Sequence, residues 1–206
     1  MTQAQQPQIY LITPPALDLE VFVPRLSAVL DAHDIACIRL ALATLDDSVL
    51  SRAADTVREI AHARDIPLVI ERHVQLVETL GLDGVHLTDG SRSVRKTRAA
   101  LGADAIIGAF CGASTHDGMT AGEAGADYIG FGPVGPTPLG DGTQAAHDVF
   151  AWWSQMIELP VVAEGALTTD LIAQFAAVTD FFAIGPEIWD AEDPAAALAA
   201  LTAPLR

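Results

Sequence analysis

Short apolar runs alternate with longer amphipathic stretches along the chain, and this alternation predicts the fold. The runs are continuously apolar, which is typical of parallel strands covered on both faces. The predicted strands span residues 8–12, 36–42, 67–70, 84–87, 105–110, 128–132, 160–163 and 181–185. The intervening stretches carry apolar residues at helical spacing. They predict helices over residues 19–32, 47–64, 74–80, 93–101, 119–124, 148–156, 169–177 and 193–203.

Eight strand–helix units at a spacing of about 25 residues predict a (β/α)8 TIM barrel. We expect residues 1–206 to form this barrel as one domain. A doubly wound sheet is the alternative, but that fold usually has a glycine-rich turn after its first strand. Here the turn reads TPPALD. Because barrels place their chemistry at the C-terminal ends of the strands, the candidate residues are those that follow each predicted strand.

Composition narrows the partners that the protein can have. The formal net charge of −16 over 206 residues argues against nucleic acid or an anionic membrane as a partner. Apolar runs stay shorter than the roughly 18 residues of a membrane span. The two cysteines, Cys37 and Cys111, lie far apart and lack metal-ligand spacing. We therefore expect a cytoplasmic protein with reduced cysteines.

Charged residues near the ends of the second, third and fourth predicted strands are candidates for catalysis. Arg39 lies in an apolar strand, so it faces the barrel mouth or pairs with a carboxylate. Glu71 and Arg72 end the third strand, where Glu71 either pairs with Arg39 or belongs to a surface turn. His86 is either a catalytic histidine or a satisfied core residue. Asp89 either binds a metal or caps the following helix.

The loops after the last three predicted strands are candidates for binding phosphate. The segment GFGPVGPTPLGDG, residues 130–142, has five glycines and three prolines but no basic residue. Barrels commonly bind phosphate in the loops after the seventh and eighth strands through backbone N–H groups. The candidates are Thr137, Glu164, Gly165, Ala166, Gly185 and Pro186. A carboxylate at Glu164 opposes phosphate binding unless it points away from the ligand.

Several segments together resemble a known family. They are YLIT, LDGVHLTDG, IIGAFCGASTHDGMTAGEAGADYIGFGPVGPT, PVVAEGAL and FFAIGPEIW. Their order and spacing are similar to those of thiamine phosphate synthase and its TenI-type relatives, over about residues 8–200. The resemblance implies a TIM barrel that joins a pyrimidine pyrophosphate to a thiazole phosphate, with Mg²⁺, and releases pyrophosphate. It also implies a small phosphorylated heterocycle as the binding partner.

The resemblance implies site residues, and this chain departs from the family pattern at several of them. Arg39 matches an arginine that holds pyrophosphate, but Ala41 stands where the family has a lysine. Glu71 and Arg72 occupy the positions of an Asn-Asp pair whose aspartate binds Mg²⁺. The position of the second carboxylate that binds Mg²⁺ falls at or near Ser91, with Asp89 close by as the alternative metal ligand.

Similar departures occur in the later strands and loops. Phe110 stands at a family serine, and Gly140 stands at the lysine of the loop after the sixth strand. Gly165 and Ala166 correspond to a pair of glycines. The chain is therefore expected to be a thiamine phosphate synthase family enzyme with a degenerate site. The alternative is a divergent paralogue that binds a phosphorylated heterocycle without synthase activity, as a TenI-like isomerase or a binding protein.

The chain also offers a possible surface for self-association. Trp152 and Trp153 lie next to each other on the predicted sixth helix. They either pack against the barrel or form the face of a homodimer, and aromatic residues are common in both settings.

Overall fold

Eight parallel strands form a closed barrel in a computed structural model that describes residues 6–206. The strands are β1 Gln8–Ile12, β2 Ile35–Leu40, β3 Leu68–Glu71, β4 Gly84–Leu87, β5 Ile106–Phe110, β6 Tyr128–Phe131, β7 Val161–Glu164 and β8 Phe181–Ile184. Each strand pairs with the next along the chain, and β8 pairs with β1 to close the ring. The barrel confirms the predicted TIM fold, and the alternative of a doubly wound sheet is wrong.

Helices follow the strands and cover the outside of the barrel. They are α1 Leu19–Ala32, α2 Asp47–His62, α3 Val74–Leu80, α4 Val94–Leu101, α5 Thr115–Ala124, α6 His147–Met156, α7 Thr169–Phe175, α8 Pro186–Trp189 and α9 Pro194–Leu201. Helix α5 begins earlier than predicted because the Ser114 side chain accepts a hydrogen bond from the N–H of Asp117 and caps it. The sequence pattern did not separate α8, which is only four residues long.

Strand residues alternate between two apolar clusters. The outer cluster lies between strands and helices and includes Ile38 and Leu40 of β2. The inner cluster fills the barrel with Tyr10, Cys37, Val69, Tyr128, Val162 and Ala183. Because side chains alternate with a period of two, Arg39 shares the inner face with Cys37. The same alternation directs His86 and Glu164 into the barrel, where both are buried.

A hydrogen-bonded chain of side chains fills the barrel below its mouth. The hydroxyl groups of Tyr10 and Tyr128 lie 2.8 Å apart. The Tyr128 hydroxyl also lies 2.9 Å from Nδ1 of His86. Burial, and then the charge of Arg39, hold the pKa of His86 well below its ordinary value, so the imidazole is neutral. A Cβ atom at Gly108 would lie 2.0 Å from the Tyr128 ring, so this glycine makes room for the ring.

The two adjacent tryptophans of α6 have different surroundings. Trp153 is 1% exposed, and its Nε1–H donates to the carbonyl of Leu159 at 2.8 Å. Trp152 is 39% exposed. Trp153 is therefore part of the outer core. The homodimer stays a prediction, and of the two tryptophans Trp152 is the one exposed enough to contribute to its interface. Within residues 6–206, none of the helices has the length and apolar character needed to span a membrane.

Candidate functional site

A cavity of about 550 Å³ opens at the C-terminal ends of the strands. Its lining includes Arg39 from β2, Glu71 from β3 and Glu164 from β7. A larger groove of about 930 Å³ lies outside the mouth, between the β1–α1 loop and α2. We assign the candidate site to the mouth, because there buried charges from several strands converge on one space.

Arg39 lies at the floor of this cavity and is 4% exposed. Its Nη2 lies 2.9 Å from Oε2 of Glu164, and its Nε lies 3.8 Å from Oε2 of Glu71. Burial alone would lower the pKa of Arg39. The interactions with Glu164, Tyr10 and Glu71 raise the pKa by more than burial lowers it, so it lies above its ordinary value. The guanidinium is therefore charged, and the protein's own carboxylates already compensate its charge.

Glu164 is 2% exposed and lies next to Arg39 in the barrel interior. Burial raises the pKa of Glu164 above its ordinary value more than the adjacent guanidinium lowers it. The negative charges of Glu71 and Glu187 raise the pKa of Glu164 further, because they disfavour a negative charge on Glu164. If Glu164 is protonated, it no longer neutralises the positive charge of Arg39, and that charge can interact with an anionic ligand.

We expect the stabilising effect of Glu164 to decrease as the pH rises. A carboxyl group whose pKa is higher in the folded state contributes its full stability below its unfolded pKa of about 4.3. That stability is lost as the pH rises through the folded pKa. The difference in free energy of unfolding between wild type and Glu164→Gln should therefore shift against the wild type from acidic to neutral pH. Urea unfolding at a series of pH values measures this difference, and a difference that is constant with pH contradicts the assignment.

Glu71 links the floor of the cavity to its rim. Its Oε1 lies 3.2 Å from Nη2 of Arg72, while its other oxygen faces Arg39. Arg72 has a left-handed backbone with φ of 67°, which is uncommon for a residue with a side chain. Its side chain lines a neighbouring pocket of about 480 Å³ together with Asp89 and Lys96. Charges of alternating sign therefore lead from the buried floor to the exposed rim.

The donors near β3 and β4 do not fit the Mg²⁺ that the resemblance implies. Glu71 lies between two arginines, one of which, Arg72, stands at the family's metal carboxylate. Asp89 accepts a hydrogen bond from the Ser93 hydroxyl at 2.6 Å, and the Ser91 hydroxyl donates to another carboxylate. Across residues 6–206, no group of three or more His, Cys, Asp or Glu side chains is arranged to hold a metal ion. Asp89 is not a helix cap either, because α4 begins after Ser93.

The glycine-rich loop after β6 packs against the loop after β7. The N–H of Val134 donates to the carbonyl of Glu164 at 3.0 Å, and the N–H of Gly135 donates to Gly165 at 2.9 Å. A Cβ atom at Gly132 would lie 2.4 Å from the Glu164 carbonyl oxygen. These glycines therefore allow two backbones to approach each other closely, and the pairing brings the following residues of the loop over the cavity.

Glu187 in α8 also lines the cavity, and its carboxylate binds backbone on two loops. Its Oε2 accepts a hydrogen bond from the N–H of Gly185 at 2.8 Å. Its Oε1 accepts one from the N–H of Leu167 at 3.1 Å. The carboxylate thus joins the loop after β7 to the loop after β8, at the place where barrels commonly bind phosphate.

The structure brings together most of the residues that the sequence singled out. The mouth cavity is lined by Arg39, Glu71, Thr137, Glu164, Gly165, Ala166 and Pro186. The N–H of Gly185 faces Glu187 beside it, while Arg72 and Asp89 line the neighbouring pocket. His86 lines neither pocket, because it lies deeper in the barrel. The sequence reasoning missed Glu187, although a carboxylate just after Gly185-Pro186 was a signal for it.

The protein is a closed (β/α)8 barrel with a small charged cavity at its C-terminal mouth. These features are typical of barrels that bind small molecules. Residues 9–185 match the model of the family described as thiamine monophosphate synthase. The chain belongs to this family. The thiamine-phosphate synthase of Rhodospirillum centenum is 40% identical over 197 residues, which are 93% of this chain and 94% of that protein. The synthase of Hyphomonas neptunium is 38% identical, over 98% of this chain and 97% of its own.

Solved structures show the same fold. The thiamine phosphate pyrophosphorylase from Pyrococcus furiosus superposes with a TM-score of 0.83 at 21% identity, over 96% of this chain and 95% of that one. A 3-hexulose-6-phosphate synthase superposes with a TM-score of 0.67 at 15% identity, over 96% of this chain and 99% of that one. At these identities the superpositions support the barrel, and function needs separate arguments.

Proposed function

We propose that the protein is a thiamine-phosphate synthase, which joins a pyrimidine, delivered as its pyrophosphate, to a thiazole. The family match over residues 9–185 and the 40% identity to a synthase of nearly equal length support this proposal. The observation that carries it in the structure is a buried, charged Arg39 at the floor of a cavity of about 550 Å³. The partner is a small heterocycle that carries phosphate in the family's reaction.

The arrangement suits a substitution in which an anion leaves. The bond between the pyrimidine methylene carbon and pyrophosphate breaks, and the electron pair departs with pyrophosphate. The lone pair of the thiazole nitrogen then forms the new carbon–nitrogen bond. Arg39 can stabilise the departing negative charge if Glu164 is protonated, and burial favours that neutral form. We therefore assign to Arg39 the role of stabilising the negative charge on the departing pyrophosphate. Glu164 controls whether the Arg39 charge is available for this role, because only a protonated Glu164 leaves it uncompensated.

The proposal is tested by an assay with both substrates, in the presence and the absence of Mg²⁺. We expect the coupled product and pyrophosphate to appear in equal amounts. The control is the double variant Arg39→Met/Glu164→Leu, which replaces the buried ion pair with apolar side chains of similar size. It should stay folded and lose at least about 100-fold in rate, as expected when a charge-stabilising group is removed. If the wild type forms no product at enzyme concentrations equal to substrate, the synthase proposal is wrong.

A second candidate function is binding of the heterocycle without turnover. It is favoured by the pairing of Arg39 with Glu164 at 2.9 Å and by the absence of the family lysines at Ala41 and Gly140. Calorimetric titration of each substrate separates the two functions. Binding accompanied by product supports the synthase, and binding without any product supports the second candidate.

A further inference from the structure

The basic side chains of the protein are concentrated near the ends of β3 and β4. Of the 11 lysines and arginines, five lie within residues 72–98, and none lies between Arg98 and Arg206. The five are Arg72, Arg92, Arg95, Lys96 and Arg98. Because the chain has a formal net charge of −16, this segment is where an approaching polyanion meets positive charge.

Two of these side chains, those of Arg72 and Lys96, line the pocket of about 480 Å³ between α3 and α4. Arg72 lies just before α3, and Lys96 lies in the first turn of α4, so both cations belong to the end of the pocket beside the barrel mouth. Glu78 lines the far end, because α3 runs away from the mouth. The mouth end therefore has two cations and one carboxylate, that of Asp89.

Both cations have hydrogen-bond donors left for a ligand. Arg72 contacts Glu71 through Nη2 at 3.2 Å, and its side chain is 54% exposed. A guanidinium has five N–H groups, so most of those of Arg72 remain available. Lys96 is exposed and makes no ion pair with a carboxylate of residues 6–206. The protein itself therefore leaves much of this positive charge for a ligand.

Glu71 connects this pocket to the mouth cavity. One of its carboxylate oxygens faces Arg72, and the other lies 3.8 Å from Nε of Arg39. That Nε is buried and has no hydrogen-bond partner among residues 6–206. An anion with two linked phosphoryl groups suits this arrangement, since one group can face the mouth cavity while the other faces Arg72 and Lys96.

We propose that Arg72 and Lys96 bind the terminal phosphoryl group of the pyrophosphate, so that side chains supply positive charge at a place where the carboxylates do not fit Mg²⁺. The inference rests on the proposed function for the identity of the ligand. Arg39 remains the cation on the mouth side, and the two exposed cations hold the far end of the leaving group.

Calorimetric titration with inorganic pyrophosphate, in buffer freed of metal ions by a chelating resin, tests the proposal without turnover. We expect Arg72→Asn to weaken binding at least about tenfold and Lys96→Gln at least about threefold, because charge-assisted hydrogen bonds are lost. Asparagine suits the left-handed backbone at residue 72, where φ is 67°, so this variant should fold.

Arg95→Gln is the matched control for Lys96→Gln. It removes the same charge from the same turn of α4, but Arg95 is exposed and does not line the pocket. Its affinity for pyrophosphate should stay within about twofold of the wild type, because salt screens an exposed charge that makes no contact. Equal losses in the Arg95 and Lys96 variants overturn the inference, since they show an effect of total charge.

Asp89→Asn separates a side-chain site from a metal site. Removing the one carboxylate at the mouth end of the pocket should tighten pyrophosphate binding, because a like charge is removed. If Asp89 held Mg²⁺, the same variant would weaken binding. Weaker binding in Asp89→Asn overturns the inference, and so does a wild type that binds pyrophosphate only when Mg²⁺ is added.

Lys96 is the one lysine in the sequence, so a lysine-directed acetylating reagent reports on this pocket directly. We expect pyrophosphate to slow the acetylation of Lys96, measured by mass spectrometry of proteolytic fragments. Acetylation of the N-terminal amino group of the same chain is the internal control and should not change. An equal rate for Lys96 with and without pyrophosphate overturns the inference.

Turnover with both substrates separates this inference from the proposed function. Product formation that is unchanged in Arg72→Asn and Lys96→Gln supports the synthase and overturns the inference, whereas product formation that slows in both variants supports both. Pyrophosphate binding that depends on both residues, without product, supports the inference and overturns the synthase. Thermal unfolding shows which variants are folded, and the exposed Lys96 keeps the test decisive if Arg72→Asn unfolds.

Discussion

Replacing Arg39 with alanine should destabilise the protein by about 3–5 kcal/mol, because it leaves a buried partner without its counter-charge. Glu164 is 2% exposed and would lose the guanidinium that lies 2.9 Å away. Glu71 would lose the same partner on the cavity side. Urea unfolding at pH 8, where an uncompensated carboxylate costs most, measures the change in free energy of unfolding.

Two further measurements show whether the loss comes from the unpaired charge. The double variant Arg39→Met/Glu164→Leu should recover most of the stability, because well-packed apolar residues often replace a buried ion pair at little cost. The destabilisation by Arg39→Ala should also shrink at acidic pH, where Glu164 takes up a proton. A loss below about 1 kcal/mol at pH 8 would show that the pair is not buried as described.

Gly84→Ala should cost about 3 kcal/mol or more, because the new methyl group meets backbone. Gly84 begins β4 and pairs with Ile106 of β5. A Cβ atom at this position would lie 1.9 Å from the carbonyl oxygen of Ile106 and 2.8 Å from its Cα. Backbone of a neighbouring strand has no side-chain rotation by which to give way, so the strands themselves must shift. Thermal or urea unfolding measures the loss.

Gly122→Ala is the matched control for this substitution. Gly122 lies inside α5, where a Cβ atom would meet only the end of the Leu159 side chain, at 3.0 Å. Alanine in a helix interior is favoured over glycine by about 0.5–1 kcal/mol. The control should therefore be neutral or stabilising. Similar losses in both variants would mean that crowding at the β4–β5 contact is not the cause.

The fold could be predicted from the sequence because each strand is a separate apolar run of nearly the observed length. The pattern was less informative where a strand continues into a charged residue. The prediction ended the seventh strand at residue 163, yet β7 continues to Glu164, which pairs in register with Ala183 of β8. Helix α8 was missed because four residues, the first of which is Pro186, are too few to show helical periodicity.

Part of the site could be predicted because the ends of parallel strands meet at one face. Glu71 and Glu164 were candidates because they lie at strand ends, and Arg39 was a candidate because it is a cation inside an apolar strand; all three line the cavity. Arg72 could not be placed in this way, because its left-handed backbone turns the chain towards the neighbouring pocket. The contacts of Glu187 depend on which backbone N–H groups lie within its reach, and a linear sequence does not contain that distance.

The closure of the barrel has a consequence for synthesis on the ribosome. Strand β1 pairs with β8 along Gln8–Leu11 and Phe181–Ile184, so the first strand meets its second partner only when the last one has emerged. At about 5–20 residues per second, translation of the intervening chain takes on the order of ten to thirty seconds. During this time β1 presents unpaired N–H and C=O groups along one edge. The free edge of β1 is therefore open to mispairing for far longer than the edges of the other strands, which wait only for the next strand along the chain. Chaperone protection is therefore most valuable before β8 appears.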